Sequence, residues 1–372
     1  MKEYKLAIIG CGKVAHLHAQ AIKNLPNAIL AAVWSRTAAS AEKFATAYGV
    51  KPYSDITAMI KDNHIDLVIV CTPHPFHREV TVEAAQAGAN VLVEKPLAST
   101  LEDCDAMIQA CKDAGVKLGV VSQRRFYAPV QRIRQAIDEG KIGTPALGTI
   151  NMLGWRDKAY YDADAWRGTW DMEGGGVLVN QAPHQLDIFL WFMGEIEEVY
   201  GVWRNLNHPY IEVEDTALAI VKFKNGGIGN IIVSNSEKPG IYGKVQVHGS
   251  NGASVGVQTD GGAMFIAGMS SVLEPPVNDL WTVPGEESLL DGWVKDDSDL
   301  FNRIEPTVYY MERQIEDFLT ALDRGGDPLI TGEFARRTVE LFTAIYRSTR
   351  DNVPVKFPLA PENKGDMDGR KA

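Results

Sequence analysis

The sequence predicts an α/β first domain built on a parallel sheet, followed by an α+β second domain with a large, mostly antiparallel open-faced sheet. Three observations predict it. Up to Val121, short apolar runs alternate with helical stretches, as βαβ units require. From about Thr149, strand-like runs follow one another without intervening helices. The 372 residues also exceed one ordinary core and suit two domains.

Residues 6–9 form a continuous apolar run ending in Gly10, as expected of a strand buried on both faces. Residues 14–25 read as a helix, 28–34 as a second strand, and 38–48 as a helix stopped by Gly49. Residues 66–71, 90–93 and 116–121 continue the strands, with helices at 77–87 and 101–114. In the second domain the strand-like runs are 198–202, 216–223, 229–234 and 243–248, and residues 178–193 are the main helix. Residues 256–305, rich in Gly, Asp and Pro, receive no assignment. Two closing helices are expected at 307–322 and 333–348, and a polar, frayed end at 364–372. The domain boundaries are therefore 1–123, 124–360 and a polar tail, 361–372.

Hydrophobic residues at 45% and charged residues at 23% describe a globular chain. The 48 acidic against 37 basic residues, a net charge of −11, argue against a sequence-independent nucleic-acid binder, which needs a basic surface. No run reaches the roughly 18 apolar residues of a membrane helix. The N-terminus enters a strand directly, without a leader pattern, so a cytoplasmic protein is expected. The four cysteines, Cys11, Cys71, Cys104 and Cys111, lack paired metal spacing. Buried free thiols and no metal site are expected.

Gly10-x-Gly12-x-x-Ala15 follows the first strand and opens a helix. Gly10 permits the tight turn, Gly12 lets a pyrophosphate approach, and Ala15 lets helix and strand pack closely. The N–H groups of Lys13 and Val14 open the helix, whose terminus offers partial positive charge to the phosphates. Such a glycine pair is weak alone, but at the head of repeated βαβ units it indicates a dinucleotide-binding (Rossmann) domain. The ribose-reading position, at the end of the second strand, holds Ser35-Arg36 where NAD enzymes commonly carry an acid. Arg36 pairs with a 2′-phosphate in one reading, favouring NADP. In the other it stacks on the adenine and NAD is used. Thr72-Pro73, with His77, follows the third strand at the ligand edge of the sheet, where a plain turn and helix cap is the alternative. Glu94-Lys95-Pro96 follows the fourth strand, where an ammonium can stabilise developing alkoxide charge. Gln123 follows the fifth strand.

With these motifs, and with Glu173-Gly174-Gly175-Gly176-x-x-x-Asn180-x-x-x-His184-x-x-Asp187, the chain resembles the Gfo/Idh/MocA family of sugar and cyclitol oxidoreductases over nearly its whole length. The resemblance implies Lys95 as a catalytic and orienting residue and His184 as general acid/base. It leans the cofactor from an open choice between NAD and NADP towards NAD. The implied dinucleotide-binding set is Gly10, Gly12, Lys13, Val14, Ser35, Arg36, Thr72, Pro73, His77, Glu94, Lys95 and Gln123. On one helix, Asn180 and His184 would share a face. Many members that oxidise inositol carry aspartate where Asn180 stands, which leaves the proton to His184 and Lys95. Trp155, Trp166 and Trp170 offer faces to apolar ring surfaces, and Arg156 and Arg167 offer donors, although tryptophans of the core or of subunit contacts would look the same. Lys95, Arg125, Trp155, Arg167, Asn180 and His184 make up the expected substrate set.

The expectation is an NAD(P)-dependent dehydrogenase for one secondary hydroxyl of a cyclitol, scyllo- or myo-inositol, or of a pyranose sugar. A glycoside-cleaving enzyme with tightly bound, recycled NAD and a non-catalytic nicotinamide sensor are the alternatives. Neither nucleic acid nor membrane is an expected partner. An open sheet face usually buries against another subunit, so a homo-oligomer, dimer or tetramer, is expected.

Overall fold

A computed structural model describes residues 2–238, 240, 243–259, 274–362 and 367–371. The chain forms two compact units, Met1–Gln123 with Glu305–Arg336, and Arg124–Ile304 with Arg337–Ala372.

In the first unit the order is β1 (Tyr4–Ile9), α1 (Lys13–Asn24), β2 (Ala28–Trp34), α2 (Ala38–Tyr48), β3 (Lys51–Tyr53), α3 (Ile56–Asn63), β4 (Leu67–Val70), α4 (His77–Gln86), β5 (Asn90–Val93), α5 (Leu101–Asp113) and β6 (Leu118–Val120). The strands pair in parallel in the order β3-β2-β1-β4-β5-β6, the doubly wound arrangement whose ligand crevice lies beyond the carboxyl ends of the strands. Leu6, Ile8, Leu67, Ile69 and Leu92 are buried, which explains why these strands read as unbroken apolar runs. The short edge strand β3 and α3 carry too little pattern to stand out in the sequence. Asp55 caps α3 by accepting from the Ala58 N–H at 2.6 Å.

In the second unit the order is α6 (Ala128–Asp138), β7 (Pro145–Leu153), α7 (Lys158–Asp162), α8 (Trp170–Glu173), α9 (Val177–Asn180), α10 (Pro183–Met193), β8 (Ile196–Arg204), β9 (Thr216–Phe223), β10 (Ile228–Ser234), β11 (Lys244–Gly249), β12 (Ser254–Gln258), β13 (Val277–Trp281) and α11 (Leu290–Phe301). Two long helices follow, α12 (Pro306–Arg324) and α13 (Gly332–Asp351), and then β14 (Val355–Lys356). The sheet order is β13-β12-β11-β7-β10-β9-β8-β14, antiparallel except between β7 and β10. On β9, buried Ala217, Ala219, Val221 and Phe223 alternate with more exposed residues, as a sheet with one covered face requires.

Three particulars differ from the sequence reading. Residues 305–336, expected with the second domain, lie in the first unit, where Met311, Ile315, Phe318 and Leu319 of α12 share a core with Leu6, Ile8 and Ile22. Periodicity reveals an amphipathic helix but not the sheet it covers. The single helix expected over 178–193 is two helices, α9 and α10, separated by Gln181-Ala182. Pro183 opens α10, because proline fits a helix start and breaks a helix interior. The end expected to fray is ordered at its described residues. Asp368 and Arg370 are buried, and Arg370 Nη1 donates to the Gly174 carbonyl at 2.9 Å. Of the unassigned stretch, β12, β13 and α11 are now defined, and residues 260–273 lie outside the described residues.

All residues of α10 except Trp191 are buried, so the helix is surrounded on nearly every side. Its seat is a notch where Gly148 of β7 and Gly229 of β10 are register partners. A Cβ at Gly148 or at Gly229 would each lie 2.6 Å from the Phe189 ring. Gly229→Ala is therefore expected to destabilise the protein by about 1–3 kcal/mol through overpacking. Urea unfolding checks this, and an unchanged midpoint would remove the notch from the account of how α10 is seated.

Candidate functional site

In the first unit the phosphate turn has the geometry its sequence suggests. Gly10 sits at φ +96°, and a Cβ there would lie 2.8 Å from the Cys71 and Thr72 backbone, so only glycine fits. Its N–H donates to the Trp34 carbonyl at 2.8 Å. A Cβ at Gly12 would meet no atom within 4 Å, which leaves open space at the start of α1. No side chain caps that helix and no acid lies in its first turn, so Lys13 and Val14 begin a terminus suited to an anion. Cys11 is half-buried inside this turn. Burial pushes its thiol up to about 11, against a hydrogen bond with Ser35. Thr72 Oγ1 and Gln123 Oε1 are buried polar atoms without a hydrogen-bond partner among the described residues. An open helix terminus, a cramped glycine and orphaned polar atoms beyond the strand ends fit a dinucleotide.

Ser35 is half-buried and Arg36 exposed, its guanidinium 5.5 Å from the Phe76 ring centroid. Pro73 is exposed beside Thr72. His77 is buried, and both of its ring nitrogens face backbone carbonyls. Nδ1 lies 3.1 Å from those of Pro96 and Leu97, and Nε2 lies 2.9 Å from that of Thr72. Burial lowers its affinity for a proton, against the pull of these carbonyls and of Glu94. The ring, expected to touch the cofactor, joins the two loops that follow β4 and β5.

Glu94 is likewise enclosed. One oxygen meets His18 Nε2 at 2.8 Å and the other meets the Lys95 N–H at 3.2 Å. Burial alone would raise its pKa, but the His18 hydrogen bond and the charges of His18 and Lys95 hold it below the usual carboxylate range. Half-buried Lys95 thus stands on a turn fixed from α1 by His18 and from α4 by His77. His18, which sequence reading missed, lies on α1. Only its position on the dinucleotide helix offered a signal.

In the second unit, Arg125 donates from Nε and Nη2 to both oxygens of Asp187 at 2.7 Å and lies 4.6 Å from the Trp191 ring centroid. The pair is buried. Arg125, expected at the substrate, braces α10. His184 is buried one turn before Asp187. Asn180 ends α9, so the shared helical face expected for it and His184 does not exist.

Around Asn180 lies a polar network. Its Nδ2 donates to Glu173 Oε1 at 2.5 Å and to Tyr160 Oη at 3.1 Å. Tyr160 Oη also receives Gln181 Nε2 at 2.8 Å and the Arg167 guanidinium. Arg167 is sandwiched between Tyr160 and Trp166, at 4.2 and 4.5 Å from the ring centroids. The structure therefore brings Arg167 and Asn180 together through Tyr160, which the sequence did not single out. Trp155 stands apart, against His208 at 5.2 Å. That histidine bridges Asp215 at 2.7 Å and the Arg156 carbonyl at 2.6 Å. Trp170 packs with Trp203 and Tyr346. Among the described residues no cluster of His, Cys, Asp and Glu is arranged to hold a metal, and no helix is long and apolar enough to cross a membrane.

The comparisons with known proteins agree with this architecture. Residues 4–122 match the oxidoreductase family, NAD-binding Rossmann fold (GFO_IDH_MocA), and residues 130–255 match the GFO/IDH/MocA C-terminal domain. The myo-inositol 2-dehydrogenase of Thermotoga maritima is 31% identical over 67% of this chain and 73% of its own. The chain belongs to the Gfo/Idh/MocA oxidoreductase family. A second Gfo/Idh/MocA relative, the scyllo-inositol 2-dehydrogenase (NAD(+)) of Bacillus subtilis, is 30% identical over 68% of this chain and 73% of its own. The WlbA dehydrogenase from Bordetella pertussis, solved in complex with NADH and UDP-GlcNAcA, superposes with a TM-score of 0.84 at 28% identity, covering 96% of this chain and 99% of that one.

Two buried acids of the second unit titrate far from their usual range. Glu173 is pushed up to about 7 by burial, against the Gly168 N–H, Asn180 and Arg167, with Glu214 adding to the rise. Glu214 is also pushed up to about 7 by burial, although it accepts from the N–H groups of Leu178 at 3.0 Å and Gly176 at 2.8 Å. An acid whose folded value lies above its unfolded one stabilises the fold at low pH, and that contribution is lost as pH rises through the folded value. The melting temperature is therefore expected to fall as pH rises from about 4.5 to about 7 and to level off above, with Glu173→Gln and Glu214→Gln each flattening that fall. Melting curves across that range decide it, and slopes parallel to wild type would contradict the assignment.

Proposed function

We propose that this enzyme is a dehydrogenase that reversibly oxidises one secondary hydroxyl of a cyclitol or pyranose sugar to the ketone. The turn carrying Lys95, fixed by Glu94 with His18 and by His77, is the observation that carries the proposal. A group that must stabilise changing charge works best when held rigidly. The inositol relatives support the substrate class. WlbA, with its longer coverage, favours a nucleotide-bearing pyranose as a second reading.

When bound, the nicotinamide supplies the hydride acceptor. In this reading Gly12, Lys13 and Val14 hold the pyrophosphate at the start of α1. Ser35 and Arg36 meet the adenosine end, and the hold of Arg36 on Phe76 supports NAD. Lys95 donates a hydrogen bond to the reacting oxygen and stabilises its alkoxide character. His184 takes the hydroxyl proton and returns it when the ketone is reduced. Asn180 and Arg167 hold other polar groups of the ring.

Lys95→Ala and His184→Ala are each expected to lower kcat by about 10²–10⁴-fold, with NADH affinity, read by its fluorescence, nearly unchanged. Inositols, hexoses and UDP-linked hexuronates, assayed with NAD and NADP separately, supply the rates. Wild-type turnover in either variant would refute the roles, and no turnover with any substrate would refute the class.

The open face of the second sheet supports a homo-oligomer. Tyr200, Val202, Leu218, Ile220 and Ile228 are exposed on neighbouring strands, with Tyr200 opposite Ile220 and Val202 opposite Leu218. Light scattering during gel filtration should give a dimer or tetramer, and Leu218→Asp with Ile220→Asp a smaller species. A wild-type monomer would refute this.

A further inference from the structure

Asn180 carries no charge, and its neighbours decide what it shows to a ligand. Glu173, at the end of α8, is 1% exposed. Its Oε2 accepts from the Gly168 N–H and its Oε1 from Asn180 Nδ2, both at 2.5 Å. An ionised carboxylate only accepts, so the Asn180 atom facing it is the amide nitrogen. Tyr160 Oη accepts from the same nitrogen. In a planar amide the carbonyl oxygen then lies on the opposite branch. The network beyond is directed in the same sense. Asn235 Nδ2 donates to Gln181 Oε1 at 2.9 Å, which turns the Gln181 amide nitrogen towards Tyr160.

We propose that Glu173 and Tyr160 are positioning residues that make Asn180 present a hydrogen-bond acceptor to a substrate hydroxyl, and that neutralising Glu173 lets the amide turn over and present a donor. The proposal rests on the reading that Asn180 meets substrate. It gives the asparagine the acceptor character of an aspartate without its charge. With the amide turned, the site instead suits a carbonyl or carboxylate oxygen. Glu173 is faced by Arg167 and the Gly168 N–H from the segment before α8, by Tyr160 from α7, by Asn180 from α9, and by Glu214 from the segment before β9. Its titration near 7 places the change inside the working pH range.

The test uses the full-length enzyme with NAD and the panel substrate of highest turnover. In wild type, KM should rise severalfold as pH falls from 8 to 6, with kcat changing less. Asn180→Asp sets a second carboxylate against Glu173, and two so close cannot both ionise, so KM should rise about tenfold at pH 8. Adding Glu173→Gln supplies an amide donor to the new carboxylate and should return KM to within about threefold of wild type. Tyr160→Phe keeps the ring and should raise KM by itself, which carries the test if the double variant does not fold. Additive losses in the double variant would overturn the proposal, as would an unchanged KM in Tyr160→Phe. Asn180→Ala separates the two failures. If it raises KM while the rescue fails, only the orientation is wrong, whereas an unchanged KM removes the substrate reading of Asn180 and the proposal with it.

Discussion

One aromatic ring fixes the second unit. Phe189 fills the notch made by Gly148 and Gly229, register partners on adjacent strands, and so sets both the depth and the rotation of α10. Packed interiors transmit such constraints because they contain few voids into which a helix can slide. The same helix carries Asp187, gripped on both oxygens by Arg125, and His184 one turn earlier. A buried ion pair of this kind costs much to break, of the order of 3–5 kcal/mol when one partner is removed. Its value here is directional. Two separate anchors, an apolar ring into the sheet and a forked ion pair, leave the imidazole little freedom of placement.

Both units use buried polar groups to aim other polar groups. In the first, His18 steadies Glu94 and His77 stitches two loops through carbonyls, so Lys95 stands on a turn with little slack. In the second, Glu173 and Tyr160 hold Asn180 and Arg167, while Glu214 gathers the amides at the start of α9. Low local polarity strengthens each of these contacts and makes any missing partner expensive. Such networks therefore define a single geometry more sharply than apolar packing alone.

The alternation of strand and helix in the first unit was legible because the inner strands β1, β4 and β5 are buried on both faces and so read as apolar runs. The glycine turn was legible because steric need leaves one residue type at Gly10. Membership of α12 was not, since an amphipathic face does not name its partner. Continuity of α9 and α10 was misread although Pro183 stood in the sequence, because proline marks a helix start as readily as a helix break. Arg125 was assigned to substrate because a long cation after a strand end resembles a ligand-binding group. Only three-dimensional structure reveals the Asp187 carboxylate that engages it. Tyr160 left no signal, and His18 none beyond its place on the dinucleotide helix, for their roles arise from residues 20 and 76 positions away. Glu173 did open the glycine run, yet its burial against Asn180 depends on the turn at Gly174, where φ is +72°.

Cys11 has a consequence beyond packing. Its sulfur sits within the phosphate turn, between the two glycines, and holds its proton to about pH 11 because it is removed from water. The thiolate is the form that peroxides and electrophiles attack. A cysteine at the mouth of a dinucleotide site would ordinarily expose an enzyme to inactivation whenever the surroundings became oxidising. Here partial burial of Cys11 in the turn keeps its sulfur in the protonated form, which reacts least with oxidants and electrophiles.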